Sequence, residues 1–173
     1  MSDYSTLLLV IAPALLVALS SYMIIKRMLA GEASRKNAEL LIESRKITVP
    51  MRLQAYERLV LFLERISPES LILRVRKSNM KNQDLQVALL SAIRTEFEHN
   101  LSQQLYVSIT VWQAVKSAKE TVVSMVNEVA MNVKPEEPSM AMATALLEKS
   151  VSEDMDSITE AMTLLKKEAR KIF

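Results

Sequence analysis

Glycine occurs once in these 173 residues, at Gly31, and that scarcity constrains the fold more than any motif does. Tight turns and hairpins draw on residues that accept positive φ, and glycine does so without steric cost. With one glycine, five prolines and half the residues apolar, a turn-rich β architecture lacks its connecting material, and an all-α chain is expected. The same scarcity bears on chemistry. Phosphate-cradling loops, dinucleotide fingerprints and nucleophile elbows need glycine where backbone approaches ligand. No cysteine is present, which excludes disulfides, zinc–thiolate sites and thiol catalysis. The expectation is a protein that is not an enzyme, with no cofactor and no evident small-molecule substrate.

Between Asp3 and Lys26 lie 22 residues without a charge, Tyr4 to Ile25. As a helix rising about 1.5 Å per residue they measure roughly 33 Å, against a hydrocarbon core of about 30 Å. The reading is a transmembrane anchor over residues 1–30, kinked at Pro13. A cleaved signal peptide fits badly, because Asp3 and no Lys or Arg precedes the run and Lys26-Arg27 closes it. Lys26, Arg27, Arg35, Lys36, Arg45 and Lys46 all follow the run, which predicts an N-terminus outside and a cytoplasmic body. From Lys26 to Lys81 there are 13 Lys/Arg against 6 Asp/Glu, and from Asn82 to Phe173 there are 9 against 13. The basic half suits anionic lipid, with Lys26, Arg27, Arg35 and Lys36 as candidate headgroup contacts.

Beyond the anchor, residues 31–49 read as a juxtamembrane helix to about Lys46, with Arg35/Glu39 and Glu43/Lys46 at ion-pair spacing. Thr48-Val49-Pro50 is expected to break it. A core domain over residues 50–133 follows. Its first helix runs from Pro50 to Ile66 on a stripe of Leu53, Tyr56, Leu59, Val60, Leu63 and Ile66. Ser67-Pro68-Glu69 starts a short helix to about Lys77. Asn82 or Asp84 caps the next, with Val87, Leu90, Ile93 and Phe97 on one face. LYVSITV is rich in β-branched residues, yet Val115, Ala118, Val122, Met125, Val126, Val129 and Val133 predict a helix from about Ser108 to Asn132.

Residues 134–138, Lys-Pro-Glu-Glu-Pro, read as a linker, either a hinge or an exposed loop, and residues 139–173 as a helical hairpin or oligomerisation segment. In its last helix Met155, Ile158, Met162, Leu165, Ala169 and Ile172 recur at spacings of three and four, the seam of a coiled coil. Met155, Ile158, Met162 and Leu165 are the candidate association residues. The seam is short enough to serve equally for packing within the chain.

Glu96 and His99 form an E-x-x-H spacing that puts both side chains on one helix face, so a dimer could assemble a metal–carboxylate site. The competing reading is a capping histidine at a helix end. Met140 and Met142 offer thioethers that more often serve as flexible core filler. Nucleic acid is not expected as a partner, since acids interleave the basic half and aromatics are few.

The segments RLQAYERLVLFLERISPESLILRV (Arg52 to Val75) and IRTEFEHNLSQQLYVS (Ile93 to Ser108) resemble the hallmark stretches of an uncharacterised family of bacterial single-span membrane proteins. In that family an acid commonly follows the YVS triplet and would reinforce the next helix cap; here Ile109 and Thr110 stand there. The resemblance implies a bacterial inner-membrane location and a helical body, and transfers no functional residue. The chain is also similar to the membrane-anchored peripheral-stalk b subunit of ATP synthase in its opening, but that protein needs a long unbroken helix, and Pro50, Pro68, Pro135 and Pro138 are expected to interrupt this one.

The architecture expected is one N-terminal transmembrane helix followed by a bundle of five to six cytoplasmic helices. The function expected is a membrane-anchored helical scaffold or adaptor, associating with itself or as a subunit of a membrane complex. Its alternatives are a regulator that binds anionic membrane lipid and a dimeric metal–carboxylate protein.

Overall fold

The structure, a computed structural model, describes residues 2–152 and 156–172; within the first 48 residues the described side chains are Pro13, 15–28, 32, 35–37 and 39–48. Among these residues the elements are α1 (Ser2–Ile66), α2 (Pro68–Val75), α3 (Asn82–Asn100), a 3₁₀ turn (Leu101–Leu105), α4 (Ile109–Asn132), α5 (Met140–Ser152) and α6 (Asp156–Ala169). All are helical, as the glycine-poor composition requires. The chain divides into two units, Met1–Thr48 and Val49–Phe173.

From Ser2 on, the first unit belongs to α1, and it corrects the expected architecture. Among the described residues no helix is long and apolar enough to cross a membrane, so the transmembrane anchor over residues 1–30 is not supported, and the orientation argument loses its span. Within the uncharged run the described side chains are Pro13 and the stretch from Leu15 to Ile25, which Lys26 and Arg27 close. Those 11 consecutive residues make about 16 Å of helix, roughly half of a hydrocarbon core. The expected break at Thr48-Val49-Pro50 is also absent, because α1 continues to Ile66. Pro50 has no N–H to offer the carbonyl of Lys46, but that loss is confined to one turn. The Thr48 hydroxyl donates to the Ser44 carbonyl at 2.8 Å just before it.

The second unit is a bundle around one core. From α1 it takes Tyr56, Leu59, Phe62, Leu63 and Ile66, all buried, which is the expected stripe widened by Phe62. Leu53 and Val60 stay half-buried. The stripe of α4 is buried from Val111 to Val129, and α4 packs on α3, α5 and α6. In α3 the buried apolar positions are Leu85, Leu89 and Ile93; of the expected face Ile93 is buried, Leu90 and Phe97 pack half-buried against the core, and Val87 is exposed. Phe97 stacks on Trp112 at 5.6 Å and meets Phe62 at 5.9 Å, while the Lys119 ammonium lies 4.7 Å from the Phe97 ring centre. That contact lets a lysine stem cover an aromatic face while its head stays near water.

Helix starts are set by local hydrogen bonds, with two surprises. Ser67 occupies the N-cap of α2 with Pro68 next, but its hydroxyl donates back to the Glu64 carbonyl at 2.7 Å rather than capping. At α3 the cap position is Lys81, whose backbone N–H is taken by Asp84 Oδ2 at 3.1 Å. Asn82 instead is 2% exposed and ties in the segment expected to be a hinge or an exposed loop. Its Nδ2 donates to the Lys134 carbonyl at 2.8 Å, its backbone N–H donates to the Glu137 carbonyl at 2.9 Å, and its Oδ1 accepts the Met142 N–H at 3.2 Å. Gln83 N–H reaches the Pro135 carbonyl, Ser139 N–H the Met80 carbonyl, and Lys81 pairs with Glu136. Residues 134–138 lie on the surface but are fastened to the start of α3, so they do not form a free hinge.

Because the buried Asn82 side chain makes two hydrogen bonds to backbone groups, with the Lys134 carbonyl and the Met142 N–H, Asn82→Ala is expected to lower stability by about 1–3 kcal/mol. Urea denaturation of the full chain, followed by helical circular dichroism, measures it.

Candidate functional site

In the first unit the feature that stands out is uncovered apolar surface. Leu15, Leu16, Val17, Leu19, Tyr22, Met23, Ile24, Ile25 and Met28 are between 49% and 68% exposed. Leu40, Leu41, Ile42 and Ile47 follow, all more than half exposed. Successive residues of a helix lie about 100° apart, so the run from Leu15 to Ile25 presents apolar groups around the whole circumference, the mark of a helix that is normally buried. The candidate headgroup residues Lys26, Arg27, Arg35 and Lys36 are all exposed and lie within and just after this stretch. Among the described residues neither Arg35/Glu39 nor Glu43/Lys46 forms a salt bridge, as is common for exposed pairs that gain little from holding two long side chains still.

In the second unit the association residues are used inside the chain. Ile158 and Leu165 are buried in the core and Met162 packs half-buried against it, on the helix that α4 covers. Met155 lies outside the described residues. The structure therefore brings three of the four together, as a packing face between α6 and α4. Met142 is likewise core, and Met140 is exposed.

A polar cluster that the sequence pattern does not announce joins α1, α4 and α6. Glu168 accepts the Ser108 backbone N–H at 2.9 Å through Oε1 and the Ser108 hydroxyl through Oε2. Tyr56 donates its hydroxyl to Glu168 Oε1 at 2.9 Å, and Arg52 donates to the Tyr56 oxygen at 2.7 Å. Arg52 also reaches the Tyr106 carbonyl at 3.2 Å and stands 3.6 Å from Glu168. Ser108 caps α4 by accepting the Val111 N–H at 3.3 Å. Glu168 thus delivers a carboxylate from 60 residues away to the N-terminus of α4, where a negative charge is favoured. The one available hint was a serine N-cap with no acid following it. Burial works to raise the Glu168 pKa, but the hydrogen bonds from Ser108 and Tyr56 and the Arg52 charge outweigh it and hold the carboxyl below its ordinary range. Burial, reinforced by Glu168, pushes the Tyr56 phenol up.

Glu96 and His99 do not form a metal-like pair. Glu96 Oε1 is held by Arg74 at 2.6 Å and by Arg65 at 3.0 Å, and Arg74 also donates to the Arg65 carbonyl at 3.2 Å. His99 is exposed, and its backbone carbonyl accepts from Arg58 at 2.9 Å. A carboxylate shared by two guanidiniums is a poor candidate ligand for a cation. Among the described residues no group of three or more His, Asp or Glu could hold a metal ion.

A carboxylate whose folded pKa is depressed contributes stability that is fully present above its unfolded pKa of about 4.3 and is lost as pH falls through the lower folded value. The full chain is expected to lose part of its stability on acidification below about pH 5, and Glu168→Gln to flatten that component. Thermal melts at stepped pH, compared between the two proteins, check it; identical slopes would show that Glu168 does not carry it.

The family of unknown function DUF7935 aligns with residues 2–172. No curated protein and no solved structure matches the chain.

Proposed function

With the chain belonging to DUF7935, a family of unknown function that covers residues 2–172, we propose that it is a non-enzymatic helical scaffold or adaptor subunit that associates with its own copies or with a larger complex through the first unit of α1. The observation that carries this reading is the band of large apolar side chains from Leu15 to Met28, each about half exposed or more. Contiguous exposed apolar surface of that kind marks a place where something else packs, and covering it releases roughly 25 cal/mol per Å². The second unit spends the α6 seam on its own core, and its exposed large apolar side chains, such as Leu73, Val87, Leu105 and Met131, are scattered over several elements rather than following one another along one helix. The bundle is then the body that the associating helix positions.

Light scattering of the full chain in mild detergent, with crosslinking in cells, is expected to show a defined oligomer or a specific co-purifying subunit. A monomer with no crosslinked partner overturns the reading. Leu16→Glu combined with Leu19→Glu is expected to weaken association by tenfold or more, since a fully buried leucine contributes about 1.5–3 kcal/mol.

A second reading, a regulator attracted to anionic lipid headgroups, is favoured by the exposure of Lys26, Arg27, Arg35 and Lys36. Exposed charges act over a Debye length that shrinks from about 10 Å at 0.1 M salt to about 3 Å at 1 M. Cosedimentation with phosphatidylserine vesicles is expected to fall steeply over that range and to fail when the four residues are changed to Gln. Binding that ignores both salt and the four substitutions removes this alternative.

A further inference from the structure

The geometry points to a small oxyanion site between the last turns of α1 and the last turn of α3, where Arg58 and Arg65 face a groove of about 200 Å³. Leu61, Phe62, Glu96, His99 and Asn100 complete its lining. It is separate from the first unit and does not depend on the scaffold reading.

The case rests on how the guanidiniums are used. Each carries five N–H donors. Arg58 commits one to the His99 carbonyl at 2.9 Å, and among the described residues no carboxylate pairs with it. Arg65 commits one nitrogen to Glu96 Oε1 at 3.0 Å, and its side chain stays 54% exposed. Among the described residues Glu96 is the only acid lining the groove, and Arg74 holds the same oxygen at 2.6 Å from outside it. The single negative charge is therefore divided between two guanidiniums, and the groove keeps a surplus of positive charge. Two effects oppose an anion: Glu96 itself and the negative end of α3. Arg58 sits on that helix end and offsets it, and the tie to Glu96 holds Arg65 in place, so less side-chain freedom is lost on binding.

Size and lining define the ligand class. Drug-sized ligands take pockets of about 300–1,000 Å³, so this groove suits an oxyanion with a few carbons rather than a nucleotide. Leu61 is 52% exposed and supplies an apolar wall beside the charges. A planar guanidinium fork matches carboxylate and phosphate alike. The shared chemistry is an oxyanion on a short apolar body, and the source is decided by experiment.

His99 is the only histidine in the chain, so its imidazole is a single spectroscopic reporter at the groove. The full chain, labelled with ¹³C-histidine in mild detergent, is titrated with inorganic phosphate and separately with butyrate, at constant pH and at ionic strength held with chloride. A saturable movement of the imidazole signal is expected with at least one anion. Saturation by phosphate alone assigns a phosphate ligand, and saturation by butyrate alone a carboxylate. Arg65→Gln, which leaves Glu96 its bond to Arg74, is expected to weaken the midpoint roughly tenfold or more. Arg58→Gln tests the other side in the same way, and Arg58→Lys, which keeps the charge but loses the fork, is expected to weaken it less. The proposal is overturned by a drift indistinguishable from chloride, or by saturation that survives both Gln variants at unchanged helix content.

Discussion

The buried stripe of α4, from Val111 to Val129, is the surface on which the second unit is assembled. Three helices, α3, α5 and α6, lie against it, and none of them has enough apolar surface to stand alone. A short isolated helix is marginal in water, because nucleation is costly and one bond per residue repays it slowly. Burying leucine, isoleucine and valine against a shared neighbour supplies what the local hydrogen bonds do not. Leu89, Ile93, Leu146 and Leu165 are each about fully buried in that arrangement.

Apolar burial does not by itself choose how helices are placed along one another. Two polar hubs do that here. Asn82 binds residues 134–142 to the start of α3 through three hydrogen bonds. Glu168 binds the end of α6 to the start of α4 and, through Tyr56 and Arg52, to α1. A misplaced helix would leave a buried amide or carboxylate without partners, which costs more than the bond itself contributes. The two hubs therefore act as register marks on an otherwise permissive apolar interface.

The two units solve the same problem differently. The second encloses a core of large side chains, and its coiled-coil-like seam is spent on α4. The first leaves leucine, isoleucine and methionine uncovered along α1, interleaved from Lys26 onward with charges that keep that part of the helix hydrated. That contrast is the support for the scaffold proposal: a bundle with a filled core, and a helix whose apolar side chains stand uncovered.

Much of the fold was legible in the residues alone. One glycine and the 3.6-residue periods of residues 53–66 and 111–133 led to an all-α chain and to most of its buried faces, and Pro68 marked a real helix start. These signals act within one or two turns, where sequence neighbours are also spatial neighbours. The failures share the opposite property. Pro50 was expected to end a helix that continues through it, the uncharged run did not make a membrane-crossing helix among the described residues, and residues 134–138, open to being a hinge or an exposed loop, are an exposed loop tied to Asn82. Glu168 gave no local sign of capping a helix 60 residues earlier, and Glu96 looked like a ligand until Arg65 and Arg74 were seen on it. Sequence by itself determined helix content and the amphipathic faces, because periodicity is written into consecutive side chains. Tertiary structure alone decided which faces are covered and which charges are shared, because those depend on residues that only packing brings together.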